Sequence, residues 1–310
     1  MRVGIVTPAY NVEPWIGAAI RSVLTQTHGD WAMTVVDDGS TDRTAAIAHG
    51  FNDPRLRVIR QSNAGVSAAR NRGIAETAAD AFLFLDADDW LTPRALTLLS
   101  QALRANPLAV AAAGAYAKTP GAEKDAGRAR LPPSGDLLKP LLIRNLFVNG
   151  GHVLIRRAAL EQAGFFHTGL RYGEDWEYWT RLARLGPFAT ARSRAPVLYA
   201  RERAGGAYLS LATRAESFVP CMDAIYSAPG LAHDLDGKTL RRMRRRAEAE
   251  NDWIIGRELI RHGRMKEGRR FLARSVRAAP HPKRFVLLAA TLPLIPRLGS
   301  FRPYPLSPPV

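Results

Sequence analysis

The chain is poor in cysteine, in acidic residues relative to basic ones, and in long apolar runs. Cys221 is the single cysteine among 310 residues, so no intramolecular disulfide can form. A reducing compartment suits such a chain, and Cys221 reads as a helix-face residue rather than a nucleophile. No stretch approaches the roughly 20 apolar residues that a membrane-spanning helix requires. The best candidate, Phe285 to Leu298, is broken by Pro293 and Pro296, which leaves at most a superficial anchor. No basic segment followed by an apolar run and a small-residue cleavage site precedes Met1-Arg2-Val3-Gly4-Ile5-Val6, so a secretory leader is not expected. Internal repeats are absent, and the seven histidines show no paired metal-ligand spacing.

What is present is a chain with 46% hydrophobic residues, enough for one large α/β domain or for one domain plus a helical appendage. Its 44 Lys and Arg outnumber 28 Asp and Glu, for a net charge of +16. From Lys238 onward there are 18 basic residues against 5 acidic ones, so most of the excess lies in the last quarter. A basic tail on a near-neutral body points to an anionic partner. Each Lys or Arg near an anionic leaflet contributes about 1 kcal/mol, which favours a membrane surface over nucleic acid. A solvated basic face is the alternative, also for the run Arg241 to Arg246.

The first third alternates strands with helices, the pattern of a mainly parallel sheet. Strands are expected at Arg2–Thr7, Ala32–Val36, Leu56–Arg60 and Ala81–Leu85. Helices are expected at Pro14–Gln26, from about Asp42 (capped by Ser40 or Thr41), at Gly65–Ala78, and after Thr92-Pro93 with Thr92 as cap. Val110–Ala117 reads as a weak fifth strand, Thr119–Asp136 as a mobile loop, and Val153–Arg156 as a further strand. Glu174–Leu185 reads as a helix whose Trp176 and Trp179 belong to the core rather than to a sugar-stacking surface. From Leu209 the pattern is mainly helical, with strong signals at Lys238–His262 and Met265–Ala278. The division expected is residues 1–205 for the α/β domain and 206–310 for a basic helical region.

Acidic residues fall at the ends of two strands: Asp37-Asp38 after the second, and Asp86-Ala87-Asp88-Asp89 after the fourth. Ligands of open parallel sheets bind at these carboxyl ends, and buried unpaired carboxylates are costly there. The Asp-x-Asp pair supplies hard oxygen ligands suited to Mg²⁺ or Mn²⁺ on a substrate phosphate. A polar turn capping the next helix is the plainer reading. The Asn63 to Gly73 segment is rich in small residues, with Gly65 permitting close approach and Arg70 able to pair with phosphate or to brace the acidic cluster. Glu174-Asp175 opens a helix, where carboxylates are favoured by the dipole. The loop Gly164 to Gly173 before it suits an acceptor-facing base. His152 and His167 flank this region, although surface or loop positions are the default for both.

Taken together, Thr7-Pro8-Ala9-Tyr10-Asn11, Val36 to Asp42, Asn63 to Gly73, Asp86-Ala87-Asp88-Asp89 and Glu174-Asp175-Trp176 resemble the family 2 glycosyltransferases. The resemblance covers about the first 200 residues. It implies the GT-A fold, a Rossmann-like, mainly parallel sheet flanked by helices. It also implies an inverting transfer from a nucleotide sugar, UDP-linked by preference, to a saccharide or lipid-linked hydroxyl in envelope glycan synthesis. Pro8, Ala9, Tyr10 and Asn11 would lie against base and ribose, and Asp38 would bond the base. Gly65, Arg70 and Asp86 would lie on the donor side, with Asp88 holding the Mg²⁺ or Mn²⁺. Asp175 would be the general base, with Glu174 and His152 in acceptor or supporting roles. The Gln-x-x-Arg-Trp motif and membrane helices of processive relatives are missing, so single addition is expected. A sugar-nucleotide pyrophosphorylase would want a Gly-rich phosphate loop after the first strand, and Pro8-Ala9-Tyr10-Asn11 is not one. A non-catalytic nucleotide-sugar or nucleic-acid binder is the rival from another class. The expected location is cytoplasmic, peripheral on the inner membrane face.

Overall fold

The computed structural model describes residues 1–202 and 217–291. Contacts divide the chain into a first unit of Met1–Leu138 with Leu146–Glu202 and a second of Lys139–Asn145 with Arg203–Val310. The short Lys139–Asn145 segment, expected in the first region, therefore groups with the second.

In the first unit, strands β1 (Val3–Ala9), β2 (Trp31–Asp37), β3 (Leu56–Arg60), β4 (Ala81–Phe84), β8 (Val153–Arg156), β6 (Ala111–Ala113) and β9 (Phe188–Thr190) form one sheet. Their spatial order is β3-β2-β1-β4-β8-β6-β9. Pairing is parallel from β3 through β4, antiparallel on both sides of β8, and parallel again between β6 and β9. Chain order runs outward from β1 to β3 and then returns to β4 on the other side of β1. This reversal is the switch point at which open α/β sheets bind ligands.

Alternation along β1 explains the layers. Val3 and Ile5 face the side covered by α1 (Ile16–Leu24) and α4 (Ala95–Ala105), in a core that includes Ile20, Val23, Leu96, Leu99 and Leu103. Val6 faces the other side, where α3 (Val66–Ala75) approaches very closely. A Cβ on Gly73 would stand 2.2 Å from Val6 Cγ1, so only glycine permits this approach.

A second sheet, β5 (Trp90–Leu91), β10 (Leu198–Arg201) and β7 (Tyr116–Thr119), was not foreseen. The single strand expected at Val110–Ala117 divides between the two sheets at Gly114, where any Cβ would strike Val197 Cγ2 at 2.6 Å. Helix starts also differ. Helix α2 (Thr44–His49) begins after Arg43 rather than on a Ser40 or Thr41 cap, because Ser40 Oγ accepts from Asn11 N. Thr92 does not cap α4, since its hydroxyl donates to the Pro196 carbonyl. The Thr119–Asp136 loop is held by bridges Tyr116–Arg130 and Gly135–Phe188.

The first unit is completed by α6 (Arg157–Ala163) and α7 (Glu174–Ala183), and α5 (Leu138–Ile143) lies mostly in the second unit. Trp176 and Trp179 of α7 are buried, as expected of core residues. The second unit continues with α8 (Val219–Tyr226), α9 (Leu231–Asp234), α10 (Gly237–Arg261), α11 (Met265–Ala278) and α12 (Pro282–Ala290). Asp236 caps α10 by accepting from Thr239 N at 2.9 Å. Helices α10 and α11 cross where Gly256 and Gly268 face each other, a Cβ on Gly268 lying 2.7 Å from the Gly256 carbonyl oxygen. Cys221 is buried and in no disulfide. No helix among the described residues is long and apolar enough to cross a membrane. The helical onset expected at Leu209 and the end of the Phe285–Leu298 run lie outside the described residues.

Candidate active site

The loops after β1 and β2 are tied by reciprocal hydrogen bonds. Asn11, in the left-handed region at φ 49°, accepts on Oδ1 from Thr41 N. Val12 N donates to Thr44 Oγ1 at 2.8 Å and Glu13 N to Asp42 Oδ2 at 3.0 Å. The Asn11 side chain thus braces the loop, whereas Tyr10 beside it is 49% exposed and Pro8 and Ala9 end the strand. Asp37 is fully buried and pairs with Arg60 at 3.2 Å.

Asp38 is buried as well. Its Oδ1 accepts from Gln61 Nε2 and Ala64 N, and its Oδ2 from Gly65 N at 2.8 Å. A carboxylate offers about four acceptor positions, of which these donors take three. Gly65 has φ 90° with open space where a Cβ would be; the conformation, not crowding, requires glycine before α3.

Arg70 is the centre of the site. It is 4% exposed, donating through Nη1 to Glu174 Oε1 at 3.0 Å and through Nη2 to Asp86 Oδ1 at 3.1 Å. Its guanidinium lies 5.2 Å from the Phe166 ring centroid. Burial opposes its charge, but Asp86, Glu174 and Asp175 outweigh burial and hold the guanidinium above the ordinary arginine range. Next to it, Asn71 clasps the Phe166 backbone, with Nδ2 donating to the carbonyl and Oδ1 accepting from the amide. Phe166 stacks on Tyr178 at 4.0 Å and meets the Phe84 ring edge at 4.9 Å. Adjacent residues of α3 therefore hold both the β4 strand end and the approach to α7. Arg70 was expected on the donor side, with bracing of the acidic cluster as the other reading; the structure shows the bracing, through Nη1 to Glu174 and Nη2 to Asp86, and leaves its buried Nε–H without a partner among the described residues.

Beyond β4, Asp86 and Asp88 are half-buried and Asp89 is 3% exposed. Asp89 accepts from Asn149 Nδ2 at 2.6 Å and from Arg201 N at 2.7 Å. Burial pushes its carboxyl well above the usual range, with the Asp88 and Asp86 charges adding to the rise. The Arg201 guanidinium donates to the Asp88 carbonyl and lies 4.9 Å over Trp90, which stacks on Tyr199. Among the described residues no three His, Cys, Asp or Glu form a closed metal cage. The strand end nonetheless fits a hard divalent cation: carboxyl groups outnumber the one buried guanidinium, and Mg²⁺ commonly uses one or two carboxylates together with substrate phosphate. Asp88, expected as the metal ligand, is the half-exposed carboxylate between Ala87 and the buried Asp89.

Glu174 and Asp175 open α7 after Gly173 at φ 76°. Glu174 is committed to Arg70, while Asp175 is half-exposed and accepts from Trp176 N at 2.7 Å. Across β2-β1-β4, the Asp38 and Asp86 strand ends are two strand spacings apart, about 10 Å. Two clefts elsewhere in this unit, one lined by Ile74, Thr77, Arg157 and Phe165 and one by Asn106, Leu131, Phe188 and Arg194, contain none of these carboxylates.

His152 departs from expectation. It is fully buried, with Nδ1 at 2.9 Å from the Gly114 carbonyl and Nε2 accepting from Val148 N. Both ring nitrogens are used by backbone, and burial lowers its pKa to about 4. It braces the sheet as a neutral ring and is not turned toward an acceptor. Asn149, which the sequence reading passed over, is the residue of that turn that reaches the acidic cluster.

With this geometry in place, the family model described as Glycosyl transferase family 2 matches residues 4–164, just over half the chain. The chain belongs to glycosyltransferase family 2. Among its relatives, the uncharacterized glycosyltransferase EpsJ of Bacillus subtilis (strain 168) is 33% identical over 190 residues, 56% of this chain and 53% of that one. The UDP-Glc:alpha-D-GlcNAc-diphosphoundecaprenol beta-1,3-glucosyltransferase WfgD of Escherichia coli is 36% identical over 106 residues, 34% of this chain and 42% of that one. The matched part thus spans about half, or less, of these relatives' length. In structure, this member of the family is similar to S. aureus TarS 1-349 in complex with UDP, at TM-score 0.61, 19% identity and 94% and 87% coverage of the two chains. It is also similar to the mannosyltransferase PcManGT from Pyrobaculum calidifontis in complex with GDP-Man and Mn2+, at TM-score 0.58, 20% identity and 93% and 79% coverage. At those identities the likeness establishes the fold: the GT-A architecture, a mainly parallel sheet flanked by helices with a helical C-terminal region.

Proposed function

We propose that the chain is an inverting glycosyltransferase that moves a sugar from a nucleotide-diphosphate donor, UDP-linked by preference, to a hydroxyl of a saccharide or lipid-linked acceptor in cell-envelope glycan synthesis. The observation that carries this reading is the Arg70 bridge. It holds Asp86 at the β4 end and Glu174 at the α7 start on one guanidinium, bringing together carboxylates far apart in sequence. The family, the UDP in the TarS complex and the lipid-linked acceptor in the WfgD name support the substrate classes.

In this reading the remaining acceptor position of Asp38 takes the base N–H, and Pro8 to Asn11 form the adjoining wall. Asp175 accepts the proton of the acceptor hydroxyl as that oxygen bonds to the anomeric carbon, and the carbon–oxygen bond to the diphosphate breaks with its electron pair leaving on the nucleotide. A positioned base contributes about 10²–10⁴-fold. Asp88 would hold Mg²⁺ or Mn²⁺, which would supply charge neutralisation for the departing diphosphate. Glu174, fixed on Arg70, orients the helix start. The enzyme would work in the cytoplasm against the inner face of the membrane, where a lipid-linked acceptor is presented.

The test is a screen of nucleotide sugars for turnover, followed by Asp175→Asn. That variant should bind UDP as wild type does and lose turnover by at least about 100-fold. Wild-type turnover in Asp175→Asn would remove the base from this scheme.

A further inference from the structure

We infer that the second unit carries a docking surface for an anionic phospholipid bilayer, built from a cationic stripe on α11 and exposed apolar side chains on α12. This locates the membrane contact that the proposed function requires, and it stands on separate residues.

Helix α11 is two-faced. At 100° per residue, its buried Gly268, Leu272, Ser275 and Val276 lie on one side. Lys266, Arg270 and Arg277 fall within roughly 40° of one another on the opposite side. All three are exposed, and none makes an ion pair among the described residues. The neighbouring acid Glu267 pairs with Arg264 at 2.6 Å and lies close enough to Arg270 to feel its charge, so two cations share this one carboxylate.

Helix α12 is anchored by Arg284, which is buried, donates to the Ala279 carbonyl at 2.8 Å and pairs with Glu250. The residues on either side turn outward. Lys283 is exposed, Phe285 is 52% exposed and Val286 is 70% exposed. Lys283 lies about 60° around the helix from Val286, and Phe285 about 100° beyond Val286; exposed apolar side chains flanked by a cation suit an interfacial helix, with the apolar groups entering the acyl boundary and the cation at the headgroups.

Charge complementarity identifies the occupant. The segment from Lys238 carries 18 basic residues against 5 acidic ones, so the partner is anionic. A polyanion such as nucleic acid would satisfy the cations and leave Phe285 and Val286 in water. A bilayer containing anionic lipid accommodates both.

The experiment is sedimentation of the full chain with phosphatidylcholine vesicles, with and without phosphatidylglycerol. Partitioning should require phosphatidylglycerol and should weaken steeply as salt rises toward about 0.5 M. Each neutralised cation should cost about fivefold, so Lys266→Gln/Arg270→Gln/Arg277→Gln together should lose roughly 100-fold. Phe285→Ser/Val286→Ser should remove the binding that survives high salt. These are surface changes, so melting temperature and UDP affinity should match wild type, and a variant that melts early is replaced by the corresponding single substitutions. Equal partitioning onto both vesicle types overturns the inference, as does wild-type partitioning of the triple variant. So does duplex DNA displacing the protein from vesicles at physiological salt, or a loss of vesicle binding that merely follows loss of a solution oligomer. The assay needs no substrate: failure of Asp175→Asn to impair turnover would end the transfer scheme and leave this surface standing, and failure here would leave transfer to a soluble acceptor untouched.

Discussion

Replacing Arg70 with methionine isolates what the buried cation contributes. The guanidinium is 4% exposed, whereas its partners Asp86 and Glu174 keep 29% and 15% of their side-chain surface in water. Removing one member of a buried pair costs about 3–5 kcal/mol, because the other charge stays behind uncompensated. Here the residual solvation of both carboxylates pulls the expectation to the lower end, about 3 kcal/mol. For a unit of this size that corresponds to a melting temperature lower by about 6–12 °C. The cause has its own signature. Arg70→Lys keeps the charge but not the two-pronged fork, so its melting temperature should lie between those of Arg70→Met and wild type. Arg70→Met/Asp86→Asn/Glu174→Gln removes the stranded carboxylates as well and should recover part of the loss, because the penalty is that of charges left uncompensated. Thermal melts of the four proteins measure this directly. A triple variant no more stable than Arg70→Met would mean that Arg70 contributes packing against Phe166 and would refute its bridging role.

Gly73→Ala should destabilise by about 1–2 kcal/mol, since the clash with Val6 exceeds the gain in helix propensity; an unchanged denaturant midpoint would show that α3 can slide off β1. His152 enters the fold neutral with a pKa of about 4. Its folded pKa lies below its unfolded pKa of about 6.5, so its contribution is present above that value and is lost as pH falls toward 4, about 3 kcal/mol in all. His152→Asn should flatten the stability profile between pH 6.5 and 4, and an unaltered slope there would refute the buried neutral ring. Calorimetry with UDP should show affinity falling at least about tenfold when divalent cations are chelated. Equal affinity with and without metal would take Asp88 out of its role.

The parts of this fold written in local pattern were legible. Strands β1, β2 and β4 are apolar runs ending in polar residues, and α1 carries an amphipathic stripe; α3 has no such stripe and was read from its small residues instead. The second sheet was not legible, because strands of two to four residues such as Trp90–Leu91 bear no period of their own and exist only through pairing with β10. The reversed direction of β8 is likewise a matter of topology, not of the residues in Val153–Arg156. At the site, carboxylates were found because acidic residues after an apolar strand are a local signal. Their partners were missed: Asn71 to Phe166 spans 95 residues and Asn149 to Asp89 spans 60, and nothing in either asparagine's neighbourhood announces the other end. His152 was misread for the same reason, although the apolar Val153-Leu154-Ile155 that follows it hinted at burial.

The two halves of the site are held by different means, and this sets how each responds to change. On the β2 side the support is plural and largely main-chain. Asp38 receives two backbone amides and Gln61, and the β1 loop is tied by Ser40, Thr41, Asp42 and Thr44. Losing any one of these bonds leaves the others, at a net cost of about 1 kcal/mol each. The start of α7 hangs instead on two neighbouring side chains, Arg70 on Glu174 and Asn71 on Phe166. Helix α3 carries both supports, opening at the Gly65 amide that Asp38 holds and locking against β1 through Gly73. It is therefore the element whose displacement would disturb both halves together. That Gly73, one turn beyond Arg70, sits against Val6 with no room for a Cβ fits a helix whose position matters more than its own apolar face.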